Sequence, residues 1–207
     1  MLDVLWLPAT NGDSDFACYN LKDPTQFNLT KVNSPAFTSL EGFTGDGVSA
    51  YLDTNFSPSN NSIVASQNSQ SFGIYTRSQT TSGNQGGGNI RINRSSSSFV
   101  AYRIGDTTNT SDSMTDAIEG LVVTNRPDSS TKEVYKNGVL EDSVSVNSVS
   151  HESLELAILA LRNGVSSLTQ YQDSQVSFTF YGADVSSKSS EFYTAIQTYM
   201  TAIGKEV

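Results

Sequence analysis

Acidic residues that could form a catalytic pair are sparse in this sequence. A retaining glycosidase needs two carboxyl groups about 5 Å apart, and on one strand that requires acidic residues at an even spacing. The pattern Glu-x-Asp does not occur in the 207 residues. The closest glutamates, Glu152 and Glu155, are three residues apart, which sends them to opposite faces of a strand. We therefore expect solvent-facing charges there, and no catalytic residue is predicted.

The single histidine and the single cysteine lack the neighbours that catalysis requires. No Ser or Asp stands around His151 in a recognisable catalytic arrangement, so we expect a solvent-exposed histidine. Cys18 lies between Ala17 and Tyr19, far in sequence from that histidine, and is expected to be a buried small apolar residue. One cysteine also excludes an intrachain disulfide.

A calcium site is the one metal site that the sequence suggests. The stretch Asn11-Gly12-Asp13-Ser14-Asp15 places carboxylates at alternate positions, and calcium prefers several oxygen ligands. However, Phe16 stands where a calcium-binding loop of a helix-loop-helix protein needs Gly, and Lys22 stands where it needs Glu. We interpret the stretch as a polar turn. No metal ligand and no cofactor are assigned, and calcium stays an open possibility.

Sugar binding is the chemistry that the remaining polar and aromatic residues favour. A sugar site needs aromatic platforms and planar hydrogen-bonding groups on a sheet face or its rim loops. A tyrosine is more often half-buried packing than a sugar platform, and that interpretation stands beside the binding one for each of them. The candidates for ligand binding are Tyr51, Tyr75, Asn93, Tyr102, Arg103 and Tyr171.

The charge balance excludes two classes of partner. The net charge is −9 and the pI is about 4.4, whereas nucleic acid and anionic membranes both require a basic patch. The nearest approach to one, Arg91, Arg94 and Arg103, is spread along the sequence, so we expect no basic cluster. No apolar window approaches the ~20 residues of a membrane span. Met1–Pro8 lacks a basic start, and no signal peptide is predicted.

Most of the chain has the pattern of short β-strands. Ser71–Arg77 alternates with Phe72, Ile74 and Thr76 on one face, and Gln175–Tyr181 alternates with Val176, Phe178 and Phe180 on one face. We expect the five bulky apolar residues among these to pack between two antiparallel sheets. Leu154–Leu161 is short and ends at a turn, which favours a doubly buried strand over a helix.

Turn and loop signals separate these strands. Asn137-Gly138 predicts a type I′ hairpin with positive φ at both residues. Thr80–Asn89 is rich in Gly and Ser and precedes a strand pattern, so we expect a flexible hairpin loop. Asn109–Asp116 is polar and is expected to be a loop.

The C-terminal segment has a different period. In Glu191–Lys205 the apolar residues fall on one face of a helix, which we place at about 190–204: Phe192, Ile196, Tyr199, Met200 and Ile203. About ten short strands followed by one amphipathic helix predict a single all-β antiparallel sandwich domain over residues 1–207. The helix is expected to pack on the sandwich or across its end, and not to extend freely as a coiled-coil stalk.

Three stretches resemble a known family. They are GFTGDGVSAYLDTNFSPS (42–59), the hairpin VYKNGVLEDS (134–143) and SFTFYGADVSSKSSEFYTAIQTYMTAIGK (177–205). They are similar to the laminin-G-like domains of bacteriophage virion proteins, which belong to the concanavalin A-like lectin and glucanase class. The resemblance implies a jelly-roll sandwich in an exposed tail, tail-fibre or capsid protein.

The same resemblance implies a function in host adhesion. Domains of this kind bind host-surface glycans or assemble with neighbouring virion proteins, and a homo-oligomer is compatible with both. We therefore expect a non-enzymatic carbohydrate-binding module located in the virion. A purely structural capsid or tail component and a glycan-active hydrolase are the alternatives.

Overall fold

The computed structural model describes residues 1–79, 83–96, 99–113 and 119–207. Two helices occur there, α1 (Pro58–Asn61) and α2 (Ser189–Ala202), together with short 3₁₀ turns at Phe16–Cys18 and Ser186–Lys188. The strands are β1 (Leu2–Trp6), β2 (Thr30–Val32), β3 (Ala36–Thr38), β4 (Gly42–Thr44), β5 (Tyr51–Asp53), β6 (Gln70–Ser78), β7 (Gly83–Gly87), β8 (Ile90–Ser96), β9 (Phe99–Ile104), β10 (Thr110–Ser113), β11 (Gly120–Arg126), β12 (Thr131–Lys136), β13 (Val139–Ser145), β14 (Ala157–Ile158), β15 (Leu161–Gly164), β16 (Ser167–Thr169) and β17 (Gln175–Gly182).

These strands form two large sheets and one small sheet. The eight-stranded sheet has the order β13-β12-β11-β6-β17-β4-β3, with β1 also paired to β17. The six-stranded sheet has the order β10-β9-β8-β7-β15-β16, and β14, β5 and β2 form the third. Pairing is antiparallel except for a two-residue parallel contact between β7 and β15. The predicted all-β sandwich with a C-terminal helix is confirmed.

The core between the two large sheets follows the alternation of the sequence where strands are regular. On β6, Phe72 and Ile74 are fully buried in this core, and Thr76 on the same face is also inaccessible to solvent. β8 and β9 contribute Ile92 and Val100 from the opposite sheet. Buried apolar area of this kind is the main stabilising term of a sandwich.

On β17, the predicted placement of two phenylalanines is wrong. Val176 faces the core between the sheets, but Phe178 and Phe180 belong to the second apolar cluster, on the outer face of the eight-stranded sheet. The register of β17 against β6 shifts between Val176 and Phe178. A bulge adds one residue to a strand and therefore sends the residues after it to the opposite face.

The predicted Gly-rich loop is also wrong over half of its length. Gly83–Gly87 forms β7, and all five residues are buried. Strands with little side-chain bulk give no alternation to detect in a sequence. Residues 80–82 of that prediction lie outside the described residues. Of the polar stretch 109–116, Thr110–Ser113 forms the edge strand β10, and residues 114–116 lie outside the described residues.

Helix α2 covers the outer face of the eight-stranded sheet, as its apolar stripe predicts. Ile196 and Met200 are buried there against Phe180, and Phe192 packs edge-on to that ring with centroids 4.7 Å apart. The hairpin turn is also confirmed, with φ of 51° at Asn137 and 80° at Gly138. No helix among the described residues is long and apolar enough to cross a membrane.

Candidate functional site

A polar cleft of about 330 Å³ opens where helix α1 lies beside the segments on either side of β14 and β15. We call it the Arg162 cleft, because that arginine joins it to a neighbouring pair of tyrosines. Its lining is dominated by polar side chains: Asn55, Ser57, Asn60, Asn61, Ser153, Leu154, Glu155, Arg162 and Val165.

Strands β5 and β15 position the charged groups of the cleft. Tyr51 and Asp53 alternate with the buried Leu52, so both lie on the opposite side of β5 from that residue, where Tyr51 is partly buried and packs against the edge of the core. From β15, the Arg162 guanidinium forms an ion pair with Asp53 and lies 3.8 Å from a carboxylate oxygen of Glu155. The arginine side chain is only 6 % exposed. A planar guanidinium held in this way presents a fixed set of donors.

One donor of Arg162 has no acceptor. Its Nη1 donates to the carbonyl oxygen of Val165 at 3.2 Å, whereas its buried Nε–H finds no partner among the described residues. Buried polar groups are nearly always hydrogen-bonded, so an unpaired one beside a cleft indicates a group that a ligand or an ordered water satisfies.

Two of the predicted ligand-binding tyrosines come together next to this arginine. The rings of Tyr51 and Tyr171 are 6.2 Å apart at an angle of 51°, and both side chains are partly exposed. Burial and the nearby Asp53 raise the pKa of Tyr51, and Arg162 opposes that rise. Its phenol therefore stays protonated at neutral pH and can donate a hydrogen bond.

The amides of the cleft are held by the backbone around them. Asn55 adopts a left-handed φ of 54°, and its Nδ2 donates to the carbonyl oxygen of Asn28 at 2.8 Å. Asn61 at the end of α1 accepts a hydrogen bond from the backbone N–H of Ser57 at 2.8 Å. Short polar residues tolerate the left-handed conformation and fix such turns locally. The cleft thus offers ordered amides beside an aromatic pair.

Two other predicted candidates are wrong because their rings are fully buried. Tyr75 lies under helix α2, and its hydroxyl donates to Gln197 at 3.3 Å. Tyr102 lies between the sheets, where its hydroxyl donates to Asp142 at 3.0 Å and the Lys132 ammonium sits 5.3 Å from the ring centroid. A ring that solvent cannot reach cannot stack on an external sugar.

The last two candidates lie away from the cleft. Asn93 on β8 and Arg103 on β9 project from the outer face of the six-stranded sheet, on which Arg91 stands directly opposite Arg103. The expectation that the basic residues do not cluster is therefore wrong at this position, because antiparallel pairing brings together residues twelve positions apart.

The expected environment of His151 is also wrong. Its ring is mostly buried, and Nε2 lies 3.5 Å from the hydroxyl oxygen of Tyr181. Burial lowers the pKa of His151, and a hydrogen bond to the backbone of Pro58 offsets part of that effect. Glu152 is exposed as expected, whereas Glu155 is only partly exposed and faces Arg162.

Cys18 and the acidic turn are occupied by structural contacts. Burial raises the pKa of the Cys18 thiol to about 11, so the thiolate needed for nucleophilic attack is absent at neutral pH. In the turn, Asp13 accepts backbone hydrogen bonds from Asp15 and Phe16, and Asp15 pairs with Lys31 at 2.5 Å. The described residues contain no group of three acidic, His or Cys side chains that could hold a metal ion.

Sequence reasoning missed Arg162 and the amides of the cleft. The available signal was a charged residue directly after the apolar run Leu154–Leu161, in a position where a buried strand continues. A charge in such a place requires a partner, here Asp53, which is more than a hundred residues away in sequence. No local pattern could have supplied that partner.

No family model and no curated protein sequence matches the chain. Solved structures do match in fold. The binding domain of botulinum neurotoxin DC in complex with SialylT has a TM-score of 0.61 at 12 % identity, over 95 % of this chain and 51 % of that one. A structure of botulinum neurotoxin type C has a TM-score of 0.59 at 14 % identity, over 93 % of this chain and 51 % of that one. It is described with the finding that cell entry of that toxin depends on interaction with two ganglioside molecules.

A third similar structure corresponds to one whole domain. Domain 4 of AbnA, an extracellular arabinanase of glycoside hydrolase family 43 from Geobacillus stearothermophilus, was solved with arabinotriose. It has a TM-score of 0.51 at 12 % identity, over 93 % of this chain and 98 % of that one. The chain thus spans about half the length of the toxin structures and nearly the full length of the arabinanase domain. At these identities the likeness establishes the fold alone.

Proposed function

We propose that the chain is a non-catalytic carbohydrate-binding module and that the Arg162 cleft is its sugar site. The observation that carries the proposal is the position of the Tyr51–Tyr171 pair beside a cleft of ordered amides and a buried arginine with one unsatisfied donor. Aromatic faces bind the apolar faces of sugar rings, and planar polar groups bind their hydroxyls.

The similar structures support this proposal at the level of the fold. The toxin binding domains are described with SialylT and with gangliosides, and the arabinanase domain with arabinotriose. Another toxin binding domain is described with rat synaptotagmin II, a protein. A sandwich of this kind can therefore present either sugar or protein sites, and the local chemistry of the cleft favours a sugar.

A binding role fits the carboxylates of the cleft better than a hydrolytic one. Asp53 and Glu155 both face the same guanidinium, which gives them a structural counter-charge. A glycoside hydrolase needs two carboxyl groups on either side of a scissile bond, one of them a proton donor. Any turnover of a polysaccharide that a single carboxylate substitution abolished would overturn this part of the proposal.

For the biological setting we propose an exposed bacteriophage virion protein, such as a tail or fibre module that adheres to host glycans. The support is the resemblance of residues 42–59, 134–143 and 177–205 to virion domains. A purely structural tail or capsid role is the second candidate. Electron microscopy of labelled virions separates the two, because a structural role requires many ordered contacts and a high copy number.

Binding of neutral oligosaccharides to the purified chain tests the sugar site. Tyr171→Ala removes one platform, and we expect it to weaken binding by about tenfold, since an aromatic contact contributes up to about 1.5 kcal/mol. The matched control is Tyr19→Ala, because Tyr19 is a solvent-exposed ring that, like Tyr171, has one aromatic neighbour, here Phe16. Equal loss in both variants, or no binding of any neutral glycan, would contradict the assignment.

A further inference from the structure

The outer face of the six-stranded sheet carries a pair of arginines in direct opposition. Arg91 on β8 and Arg103 on β9 are partners in the strand register, so their side chains leave the sheet on the same face. Like charges opposite one another on a sheet repel and destabilise it. We call the surface formed by Arg91, Asn93, Ala101 and Arg103 the arginine face.

In the part of the chain that the structure describes, no carboxylate forms an ion pair with either arginine. Among the described residues, neither guanidinium lies within 4.0 Å of a carboxylate. The closest acidic influences are Asp106 and the exposed Glu152, which act on both arginines without an ion pair. Burial, and for Arg91 also its neighbour Arg103, lowers the pKa of each guanidinium, yet an arginine stays charged at neutral pH.

Three polar atoms of the arginine face are also unsatisfied. The Nε–H groups of Arg91 and Arg103 and the side-chain carbonyl oxygen of Asn93 are buried without a hydrogen-bond partner in the described part of the chain. Two donors and one acceptor therefore converge on neighbouring positions of two strands. A folded chain normally satisfies such groups, so three of them at adjacent register positions of one partly exposed sheet face point to a partner outside the chain, which is ordered water or a ligand.

The position between the candidate groups carries little side-chain bulk. Ala101, opposite Asn93 on β9, has a small and partly exposed side chain. It therefore does not screen Asn93 and Arg103 from a ligand that approaches this face.

We propose that the arginine face binds the acidic group, a carboxylate or a sulfate, of an anionic saccharide. The two guanidinium groups would hold the anion through charge-assisted hydrogen bonds, and the carbonyl oxygen of Asn93 would accept a hydrogen bond from an adjacent sugar hydroxyl. The site extends the proposed carbohydrate binding to acidic glycans, but it does not depend on the Arg162 cleft. The anion relieves the repulsion between the two arginines.

Titration calorimetry with three oligosaccharides of equal length tests the proposal. They are an oligogalacturonate, the same oligosaccharide with its carboxyl groups reduced to alcohols, and a sulfated oligoglucan. We expect the oligogalacturonate or the sulfated oligoglucan to bind at least about tenfold more tightly than the reduced form, and which of them binds identifies the anion. Equal binding of the charged and reduced forms, or no binding of either anion, would overturn the proposal.

Substitutions separate a binding role from a structural one. Arg103→Gln should weaken binding of the anionic oligosaccharide by about tenfold or more while leaving the melting temperature unchanged or higher, because it removes a repulsive contact. Arg103→Lys keeps the positive charge but removes the planar, two-pronged set of guanidinium donors, and should weaken binding to an intermediate extent. Lys22→Gln, which removes one exposed positive charge elsewhere, is the control for net charge.

Two further results would overturn the assignment. One is a loss of binding in Lys22→Gln as large as in Arg103→Gln, which would indicate non-specific charge attraction. The other is a clear fall in melting temperature for Arg103→Gln without any effect on binding. Tyr171→Ala should retain binding of the anionic oligosaccharide, so a failure of the cleft as a sugar site and a failure of the arginine face are distinguishable.

Discussion

The outer faces of the two large sheets differ in their chemistry. The outer face of the eight-stranded sheet is apolar, with Leu121, Val123 and Phe180 buried, and helix α2 packs over it. The outer face of the six-stranded sheet carries Arg91 and Arg103 instead, both partly exposed. The inner faces of both sheets contribute to a single apolar core.

This difference teaches which surface of the molecule serves stability and which is free for recognition. An apolar outer face must be covered, because a large exposed apolar surface drives association between molecules. A polar outer face needs no cover and can contact a ligand. The stability of the chain should therefore respond strongly to changes beneath helix α2 and weakly to changes on the arginine face.

The largest expected effect is on the covered face. Ile196→Asp places a carboxylate against Phe180 and Met200, in a site that is 6 % exposed. Removing the apolar side chain and burying an unpaired charge should lower the free energy of unfolding by about 3–5 kcal/mol, measured by urea denaturation. Ala195→Asp, at the exposed neighbouring position, is the control and should cost less than about 1 kcal/mol.

A wild-type unfolding midpoint for Ile196→Asp would contradict the comparison of the two faces. Helix α2 would then be an independent appendage, and its apolar stripe would be available for oligomerisation or attachment. Because an isolated helix of this length is marginal in water, such a result would also require another partner for the stripe.

A smaller effect is expected where the hairpin turn touches the same helix. Gly138 has a φ of 80°, and a Cβ there would lie 2.9 Å from the Cα atom of Ser190. Gly138→Val should therefore combine backbone strain with a clash, and we expect a loss of about 2–4 kcal/mol in thermal or urea unfolding.

Gly204 supplies the matched control for this substitution. Its φ is 68°, but no other atom lies within 4 Å of the place that a Cβ would occupy, so Gly204→Val carries the backbone strain alone. We expect a cost of about 1–2 kcal/mol. The difference between the two valine variants measures the contact between turn and helix, and equal costs would show that this contact does not stabilise the protein.

The strands that the sequence predicts best are those in which side-chain alternation is unbroken. Phe72 and Ile74 face the core as predicted, and the type I′ turn at Asn137-Gly138 follows from residues that tolerate positive φ. The prediction fails at β17, because the bulge after Val176 depends on pairing with β6. It fails at Gly83–Gly87, because a strand of small and amide residues shows no apolar period.

The candidate sites were less predictable than the fold. Tyr51 and Tyr171 meet across 120 positions of sequence, and Arg91 meets Arg103 only through strand register. Sequence reasoning could name residue types suited to sugar binding, but the same types also occur in the interior, as Tyr75 does. Burial, which depends on the whole fold, separates the two groups.

The smallest expected effect concerns His151, which lies at one edge of the sandwich between the two large sheets. The segment around it contacts both sides, because Asn89 of the β7–β8 turn donates to the carbonyl oxygen of Ser150 at 2.9 Å, while the ring of His151 packs edge-on to Tyr181 of β17. Burial lowers the pKa of His151 in the folded chain, so the folded state favours the neutral imidazole.

The sign of the pH dependence follows from this shift. Above about pH 6.5, the ordinary pKa of histidine, both the folded and the unfolded chain hold a neutral ring, and the contribution of His151 to stability is fully present. As the pH falls below that value, the unfolded chain takes up a proton first, and stability is lost until the pH has fallen through the lowered pKa of the folded state.

Comparison with His151→Gln measures this loss. We expect the unfolding free energy of the wild type minus that of the variant to fall between about pH 8 and about pH 5.5. Because the comparison is between two chains that share every carboxylate, acid titration elsewhere cancels. A constant difference across that range would show that the surroundings of His151 do not distinguish the neutral from the charged ring.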